Sequence, residues 1–269
     1  MSKKHKKTIA FFGDSFCGQY DGWIESYCKQ NNLQCIHIGK RGGDPLYVLN
    51  SWLTFHNSFP NPQQHIDYCI YFHTESSRIY HPSPKIGLTT GVIEAVSNRQ
   101  LHDPNLNPHD PMMKAARDYN RYLNFPEIVD LKNVIASIAA DRIIGETNRL
   151  FNRVIQFWSF APVRRHEYKK SRRNGIPISE WPYRLRTGTE VILDLANLSI
   201  VEPGNPNVNW DTRPLHFSEQ ATEFMHTLLD TAINSDRALD FRNYVDENSV
   251  WEDYVRALEQ IQLEMGPAL

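Results

Sequence analysis

Short apolar runs that end in glycine or polar residues alternate with helical patterns along the first part of the chain. The run KTIAFF (residues 7–12) is short, mainly apolar and closed by Gly13, which is typical of a buried parallel strand. Two similar runs follow at residues 34–38 and 67–72. The segments before and between these runs, residues 21–32 and 46–56, carry apolar residues at helical spacing. This alternation predicts βαβ units and a parallel sheet.

The second half of the chain continues the alternation less regularly. Residues 80–128 are rich in Pro, His and Asn with weak periodicity, which predicts an insertion that is either a lid or poorly ordered. We then expect a strong amphipathic helix at 131–150 and two strands at 153–160 and 191–200. A helix at 217–234 with Ser218 as its N-cap follows, and two amphipathic stretches at 236–246 and 249–265 close the chain. This predicts an α/β domain over residues 1–235 and a helical extension, 236–269, packed on it.

Composition excludes several classes of protein. The 269 residues are 41% hydrophobic and 22% charged, as in a globular protein, and a net charge of −2 gives no general attraction to nucleic acid or to an anionic membrane. No apolar run approaches the roughly 20 residues that span a bilayer, and the segment after the basic start MSKKHKK is too short for a signal-peptide core. The four cysteines form no CxxC pair, so we expect buried, reduced thiols, no metal site and a cytoplasmic location.

Polar or glycine-rich sequences follow three of the predicted strands. They are GDS at 13–15, GKRGGD at 39–44 and HTESS at 73–77, and His216 stands in a loop just before the late helix. Ligands of open α/β sheets bind at the carboxyl ends of the strands. A serine, a glycine-rich turn and a histidine at that edge are the parts of an acyl-transfer site. Asp14 fits a structural hydrogen-bonding role better than that of a catalytic acid.

The FGDS sequence after the first strand resembles the first block of the SGNH/GDSL hydrolase family. The resemblance implies a three-layer α/β/α fold with a flavodoxin-like parallel sheet. It also implies that Ser15 is the nucleophile, that Gly43 in GGD contributes an N–H to the oxyanion hole, and that His216 is the base. The acid of the family's last block matches Asp211. The FGDS, HTES and HFS sequences together are also similar to SGNH-like proteins of bacteriophages and bacteria. For a phage protein, this resemblance implies synthesis in the host cytoplasm.

The sequence departs from the family pattern in two places. The third block should supply an oxyanion asparagine, but Thr74 and Glu75 stand there. An ionised glutamate only accepts hydrogen bonds, whereas the Thr74 hydroxyl or a backbone N–H can donate one. The last block reads D-x4-H from Asp211 to His216 instead of DxxH, so the acid reaches the base only around the intervening turn.

Each candidate also has a structural interpretation. Ser15 is a natural N-cap after a tight turn, and Gly43 is a natural turn glycine. Thr74 and Glu75 fit a solvated strand end, and His73 is a rival residue for ligand contact at the same place. These alternatives stay open at the level of the sequence.

Three functions follow from these observations. The favoured function is that of a serine ester hydrolase, which cleaves a small acyl ester, such as O-acetyl on a carbohydrate, through an acyl-enzyme at Ser15. For this function we expect no metal or organic cofactor, no nucleic-acid partner and no contact with a membrane. The departures at Glu75 and Asp211 favour a binding protein on a catalytically impaired SGNH scaffold. The basic run 164–173 offers a third function, engagement of nucleic acid, against which the net charge argues.

Overall fold

A parallel sheet of six strands forms the centre of the computed structural model, in the order β2-β1-β3-β4-β5-β6. The structure describes residues 6–17, 22–40, 42–58, 66–74, 78–81, 93, 109–123, 125–147, 151–158, 189–192, 219–235, 237–245 and 251–266. The strands are Thr8–Gly13 (β1), Gln34–Gly39 (β2), Ile66–His73 (β3), Phe151–Trp158 (β4), Thr189–Ile192 (β5) and Leu239–Asp240 (β6). The first five positions follow the flavodoxin-like order, as predicted.

Helices cover both faces of this sheet. Those of the described residues are Trp23–Gln30 (α1), Pro45–Ser58 (α2), Pro111–Tyr122 (α3), Pro126–Thr147 (α4), Glu219–Asn234 (α5) and Trp251–Met265 (α6), with short 3₁₀ turns at Ser15–Cys17 and Phe241–Asn243. Buried side chains of α1, α5 and α6 form one core with the sheet, and those of α2 and α4 form a second core with the opposite face. The predicted three-layer α/β/α fold is therefore confirmed.

The side chains of strand β1 contribute to the cores on both faces of the sheet. Side chains alternate across a strand, so Phe11 enters the core under α1 while Phe12 enters the core under α2. Phe11 meets Trp23 edge to face at 5.7 Å between ring centroids, and Phe12 lies 5.0 Å from Trp52. Burial of one such side chain contributes roughly 1.5–3 kcal/mol, which favours this strand at the centre of the sheet.

Helix α3 gives regular structure to part of the predicted insertion. Asp110 accepts a hydrogen bond from the Met112 N–H at 2.8 Å, and Pro111 occupies the first turn, where its missing N–H costs nothing. Residues 80–128 therefore contain a capped helix that their weak periodicity did not predict. Outside α3, the structure describes residues 80, 81, 93, 109, 110, 123 and 125–128 of the predicted insertion.

The end of the chain corrects a second expectation. We expected an amphipathic helical stretch at 236–246, but β6 lies there and pairs with β5 through Leu239 and Val191. A strand of two residues is too short to show the alternation of apolar and polar residues by which a strand is predicted. Helix α6 follows the second prediction, and its buried residues Tyr254 and Leu258 belong to the core under α1 and α5.

The four cysteines are free thiols, in agreement with the sequence. Cys17, Cys28 and Cys69 are buried and Cys35 is half-buried. Burial raises the pKa of the Cys17 and Cys69 thiols well above the ordinary value, so both stay protonated at neutral pH. Within the described ranges, no helix has the length and the apolar content that a membrane crossing requires.

Candidate active site

The carboxyl ends of β1, β2 and β3 meet at one edge of the sheet. Gly13 pairs with Gly39, and Phe12 pairs with Tyr71 two residues before the end of β3. The chain therefore delivers the segments after Gly13, Gly39 and His73 to the same place, as the sequence predicted. This edge is where an open α/β sheet binds its ligands.

A 3₁₀ turn beginning at Ser15 follows β1 directly. The Asp14 carboxylate accepts a hydrogen bond from the Phe16 N–H at 3.0 Å, and the Cys17 N–H donates to the Asp14 carbonyl at 3.0 Å. The Phe16 carbonyl in turn accepts a hydrogen bond from the Trp23 indole at 2.9 Å. Asp14 thus has the structural role that the sequence assigned to it, because its side chain holds the turn that carries Ser15. The Ser15 side chain lies outside the described part of the structure.

Arg78 joins this turn to the glycine-rich segment after β2. One guanidinium nitrogen donates to the Asp14 carboxylate at 2.6 Å and to the Gly43 carbonyl at 3.0 Å. Both side chains of the ion pair are buried. A single group therefore bridges the residue before Ser15 and the glycine that the resemblance assigns to the oxyanion hole. Sequence reasoning missed Arg78, although it directly follows the HTESS sequence at 73–77.

Gly43 is the residue that the resemblance assigns to the oxyanion hole, and it lies in the turn after β2. Its N–H donates to the Lys40 carbonyl at 2.9 Å and closes the turn after β2. This contact is one that a turn glycine makes, and the oxyanion role of Gly43 stays a prediction. A Cβ at this position would lie 3.1 Å from the Lys40 carbonyl oxygen, which is a closer approach than most Cβ atoms make. Asp44 follows and accepts from the Tyr47 N–H at 2.8 Å, at the start of α2.

Thr74 lies at the end of β3, where the family's asparagine is expected. The residue is 3% exposed, and among the described residues its hydroxyl has no hydrogen-bond partner. A buried polar group without a partner costs roughly 1–3 kcal/mol. The hydroxyl is a donor that a ligand at this edge can use.

Two lysines fasten the segment that follows β3. The ammonium groups of Lys40 and Lys132 donate to the carbonyls of His81 and Arg78, respectively. Burial lowers the pKa of Lys40 to about 8, although the nearby Asp44 carboxylate acts in the opposite direction. Burial likewise lowers the pKa of Lys132 and raises that of Asp44. The backbone of residues 78–81 is thereby held against the sheet edge beside Gly43.

His73 belongs to an interior network between the sheet and α4. Its Nε2 lies 2.8 Å from the Gln156 side-chain oxygen, and the Gln156 amide donates to the Asp141 carboxylate at 3.0 Å. All three side chains are buried, and burial lowers the pKa of His73 to about 4. The neutral imidazole therefore donates from Nε2. These contacts favour a structural role for His73 over the ligand contact that the sequence offered as a rival.

The remaining candidates lie outside the described residues. These are Glu75, Asp211, His216 and the basic run 164–173, whose roles stay predictions. Among the residues that the structure does describe, no three His, Cys, Asp or Glu side chains come together as metal ligands would.

Comparison with known proteins adds a likeness to esterases. No family model matches the chain, and no curated protein matches it. A lipolytic protein of the G-D-S-L family from Desulfitobacterium hafniense DCB-2 is 9% identical, with a TM-score of 0.39 over 84% of this chain and 99% of the other. A variant of an acetyl xylan esterase from Geobacillus stearothermophilus is 12% identical, with a TM-score of 0.39 over 84% and 94%. The alpha/beta hydrolase LAE5 from the metagenome of Lake Arreo, Spain, is 10% identical, with a TM-score of 0.37 over 84% and 94%. A likeness of this size does not assign an activity.

Proposed function

We propose that the chain is a serine ester hydrolase of SGNH type that acts on a small acyl ester, such as O-acetyl on a carbohydrate. The observation that carries the proposal is the buried Thr74 hydroxyl without a partner among the described residues. It stands at the end of β3, beside the strand β1 that leads into Ser15. The Arg78 bridge supports the same assignment, because it ties the turn of Ser15 to the segment after β2.

The proposed reaction has two steps. The Ser15 oxygen attacks the ester carbonyl while His216 takes its proton, and the tetrahedral intermediate then expels the alcohol, which receives that proton from His216. Water next attacks the acyl-enzyme, with His216 again as base, and releases the carboxylic acid and free Ser15. Asp211 orients the imidazole in both steps.

The oxyanion is the feature in which this site differs from the family pattern. We assign its stabilisation to the Thr74 hydroxyl and the Ser15 backbone N–H, since the Gly43 N–H is used in its own turn. A donor placed at the developing negative charge typically contributes on the order of 10² to 10³ in kcat. Thr74 therefore takes the place of the missing asparagine.

The experiment measures hydrolysis of p-nitrophenyl acetate by the wild type, Ser15→Ala, Thr74→Val and Thr74→Ser. We expect Ser15→Ala to abolish turnover and Thr74→Val to lower kcat by about 10² to 10³. Thr74→Ser keeps the hydroxyl and is the matched control, which should retain most of the activity. Thr74→Val should fold at least as stably as the wild type, because it removes a buried hydroxyl that has no partner among the described residues. Equal rates for wild type and Ser15→Ala would refute the proposal.

One observation favours a second function, a binding protein on an SGNH scaffold. The Gly43 N–H, which the resemblance assigns to the oxyanion, is engaged with the Lys40 carbonyl. A site that lacks this donor retains a pocket but loses catalytic power. Covalent labelling of Ser15 by a fluorophosphonate would exclude the binding protein. Saturable binding of an acetylated oligosaccharide with neither labelling nor turnover would favour it.

A further inference from the structure

Asp44 is a buried carboxylate whose two oxygens have different surroundings. It directly precedes α2, is 1% exposed, and accepts a hydrogen bond at Oδ1 from the Tyr47 N–H at 2.8 Å, as an N-cap does. Its Oδ2 is buried as well and has no hydrogen-bond partner among the described residues. A buried oxygen without a donor is more costly on a charged group than on a neutral one. Capping α2 therefore accounts for one oxygen of Asp44 and leaves the other unexplained.

The position of Asp44 in the fold is at the candidate active site. The residue before it, Gly43, offers its carbonyl to one nitrogen of Arg78 at 3.0 Å, and the Asp14 carboxylate accepts from the same nitrogen at 2.6 Å. Asp14 in turn directly precedes Ser15. Asp44 and Ser15 thus each follow a residue that is bound to the same guanidinium nitrogen, which brings the two residues to one place at the edge of the sheet.

Three cations lie near Asp44 without supplying the missing donor. The charges of Lys132, Lys40 and Arg78 favour the ionised carboxylate and oppose burial, which raises the pKa of Asp44. Both ammonium groups donate to backbone carbonyls of the segment 78–81, and the guanidinium donates to the two groups named above. Three cations thereby accompany two carboxylates at this edge. A further positive charge would be repelled here, whereas a neutral donor would not.

We propose that Oδ2 of Asp44 accepts a hydrogen bond from a hydroxyl group on the alcohol part of the substrate, so that the site selects esters of polyhydroxylated compounds such as carbohydrates. This inference rests on the proposed esterase function and names its substrate class. A hydroxyl is a neutral donor, which the surplus of positive charge allows, whereas a protonated amine is a charged one. A small acyl group such as acetyl carries no N–H or O–H, so the donor belongs to the alcohol.

The test compares two esters that have the same acyl group. One is a methyl glucopyranoside with a single acetyl ester and three free hydroxyls. In the other, these hydroxyls are replaced by fluorine, which is similar in size but donates no hydrogen bond. The selectivity ratio is the kcat/KM of the first ester divided by that of the second, and it does not depend on how much of the protein is folded.

The decisive variant is Asp44→Ser, in which one oxygen remains to cap α2 and Oδ2 is absent. We expect its selectivity ratio to fall about 10- to 100-fold below that of the wild type, the size expected for a hydrogen bond to a charged group. A second variant, Asp44→Asn, keeps the volume and the cap but replaces the acceptor by a donor, and its ratio should fall as well.

The matched control is Asp67→Ser at the opposite edge of the sheet. Asp67 accepts a hydrogen bond from the Thr8 N–H at 2.8 Å, near the amino ends of β1 and β3. Its replacement also removes a carboxylate that is bonded to the backbone, but far along the strands from the segments after Gly13 and Gly39. We expect the wild-type selectivity ratio in this variant.

A selectivity ratio that is the same in the wild type, Asp44→Ser and Asp44→Asn would overturn the inference, because water or the protein itself would then satisfy Oδ2. Equal rates for the wild type and Ser15→Ala would refute the esterase function alone. Calorimetric binding of the two glucopyranosides then tests the inference without turnover. Tighter binding of the hydroxylated compound that is lost in Asp44→Ser supports it, and equal binding of both compounds by the wild type contradicts it.

Discussion

Replacing Arg78 by methionine would leave the Asp14 carboxylate buried without its guanidinium. Asp14 is 1% exposed and accepts from Arg78 at 2.6 Å, so water cannot take over the lost contact without a rearrangement of the turn. Removal of one member of a buried ion pair costs about 3–5 kcal/mol. The same change removes the bond to the Gly43 carbonyl, which adds about 1 kcal/mol.

This loss is large against the 5–15 kcal/mol by which proteins of this kind are stable. We expect the free energy of unfolding of Arg78→Met, measured in urea at pH 7, to fall by about 5 kcal/mol. The melting temperature should fall by roughly 10 °C. In a double-mutant cycle with Asp14→Asn, the double variant should be less destabilised than the sum of the two single variants.

The matched control replaces an arginine in an exposed ion pair. Arg256 pairs with Asp253 on the surface of α6, and Arg256→Met should change the free energy of unfolding by less than about 1 kcal/mol. If Arg78→Met loses no more than this control, or if the cycle with Asp14→Asn is additive, then the pair does not hold the turn of Ser15 in place.

Two further predictions concern pH and packing. The pKa of His73 in the folded protein, about 4, lies below the unfolded value near 6.5, so its contribution to stability is complete above pH 6.5 and is lost as the pH falls towards 4. Between pH 7.5 and 4.5 the wild type should lose about 2–3 kcal/mol more stability than His73→Gln in urea unfolding, and equal losses would contradict the assignment. A Cβ on Gly13 would lie 2.5 Å from the Cys17 sulfur and 3.0 Å from the Phe72 Cβ, so Gly13→Ala should destabilise the fold by about 1–3 kcal/mol. Adding Cys17→Ala should recover part of that loss in thermal unfolding, and an undiminished effect would mean that the sulfur is not the obstacle.

The buried strands could be predicted because each is a continuous apolar run between polar segments. β1 carries Ile9, Ala10 and Phe11 at 0% exposure, so every position demands an apolar residue. Two features lacked such a signal. The two residues of β6 are too few for a pattern, and the periodicity of α4 records which residues are apolar but not which of its faces the sheet covers.

The meeting of the site segments was also predictable, since parallel strand ends share an edge. The bonds within the site were not. Arg78 has no pattern around it, and its role depends on a fold that brings it beside Asp14 and Gly43. The glycine-rich sequence around Gly43 indicates a turn, but the direction of the Gly43 N–H follows from the bond that it makes with the Lys40 carbonyl.

The two cores of the sheet are completed at different times during synthesis. Among the described residues, the core under α2 and α4 takes its last side chains from β4, which ends at Trp158, whereas the opposite core waits for α5 and α6, which end at Met265. At typical translation speeds the difference is on the order of ten seconds. During that interval the face of the sheet that carries Phe11 and Phe72 is covered by α1 but still lacks α5 and α6. The nascent chain thus carries an incompletely covered apolar sheet face until its last helices have been made.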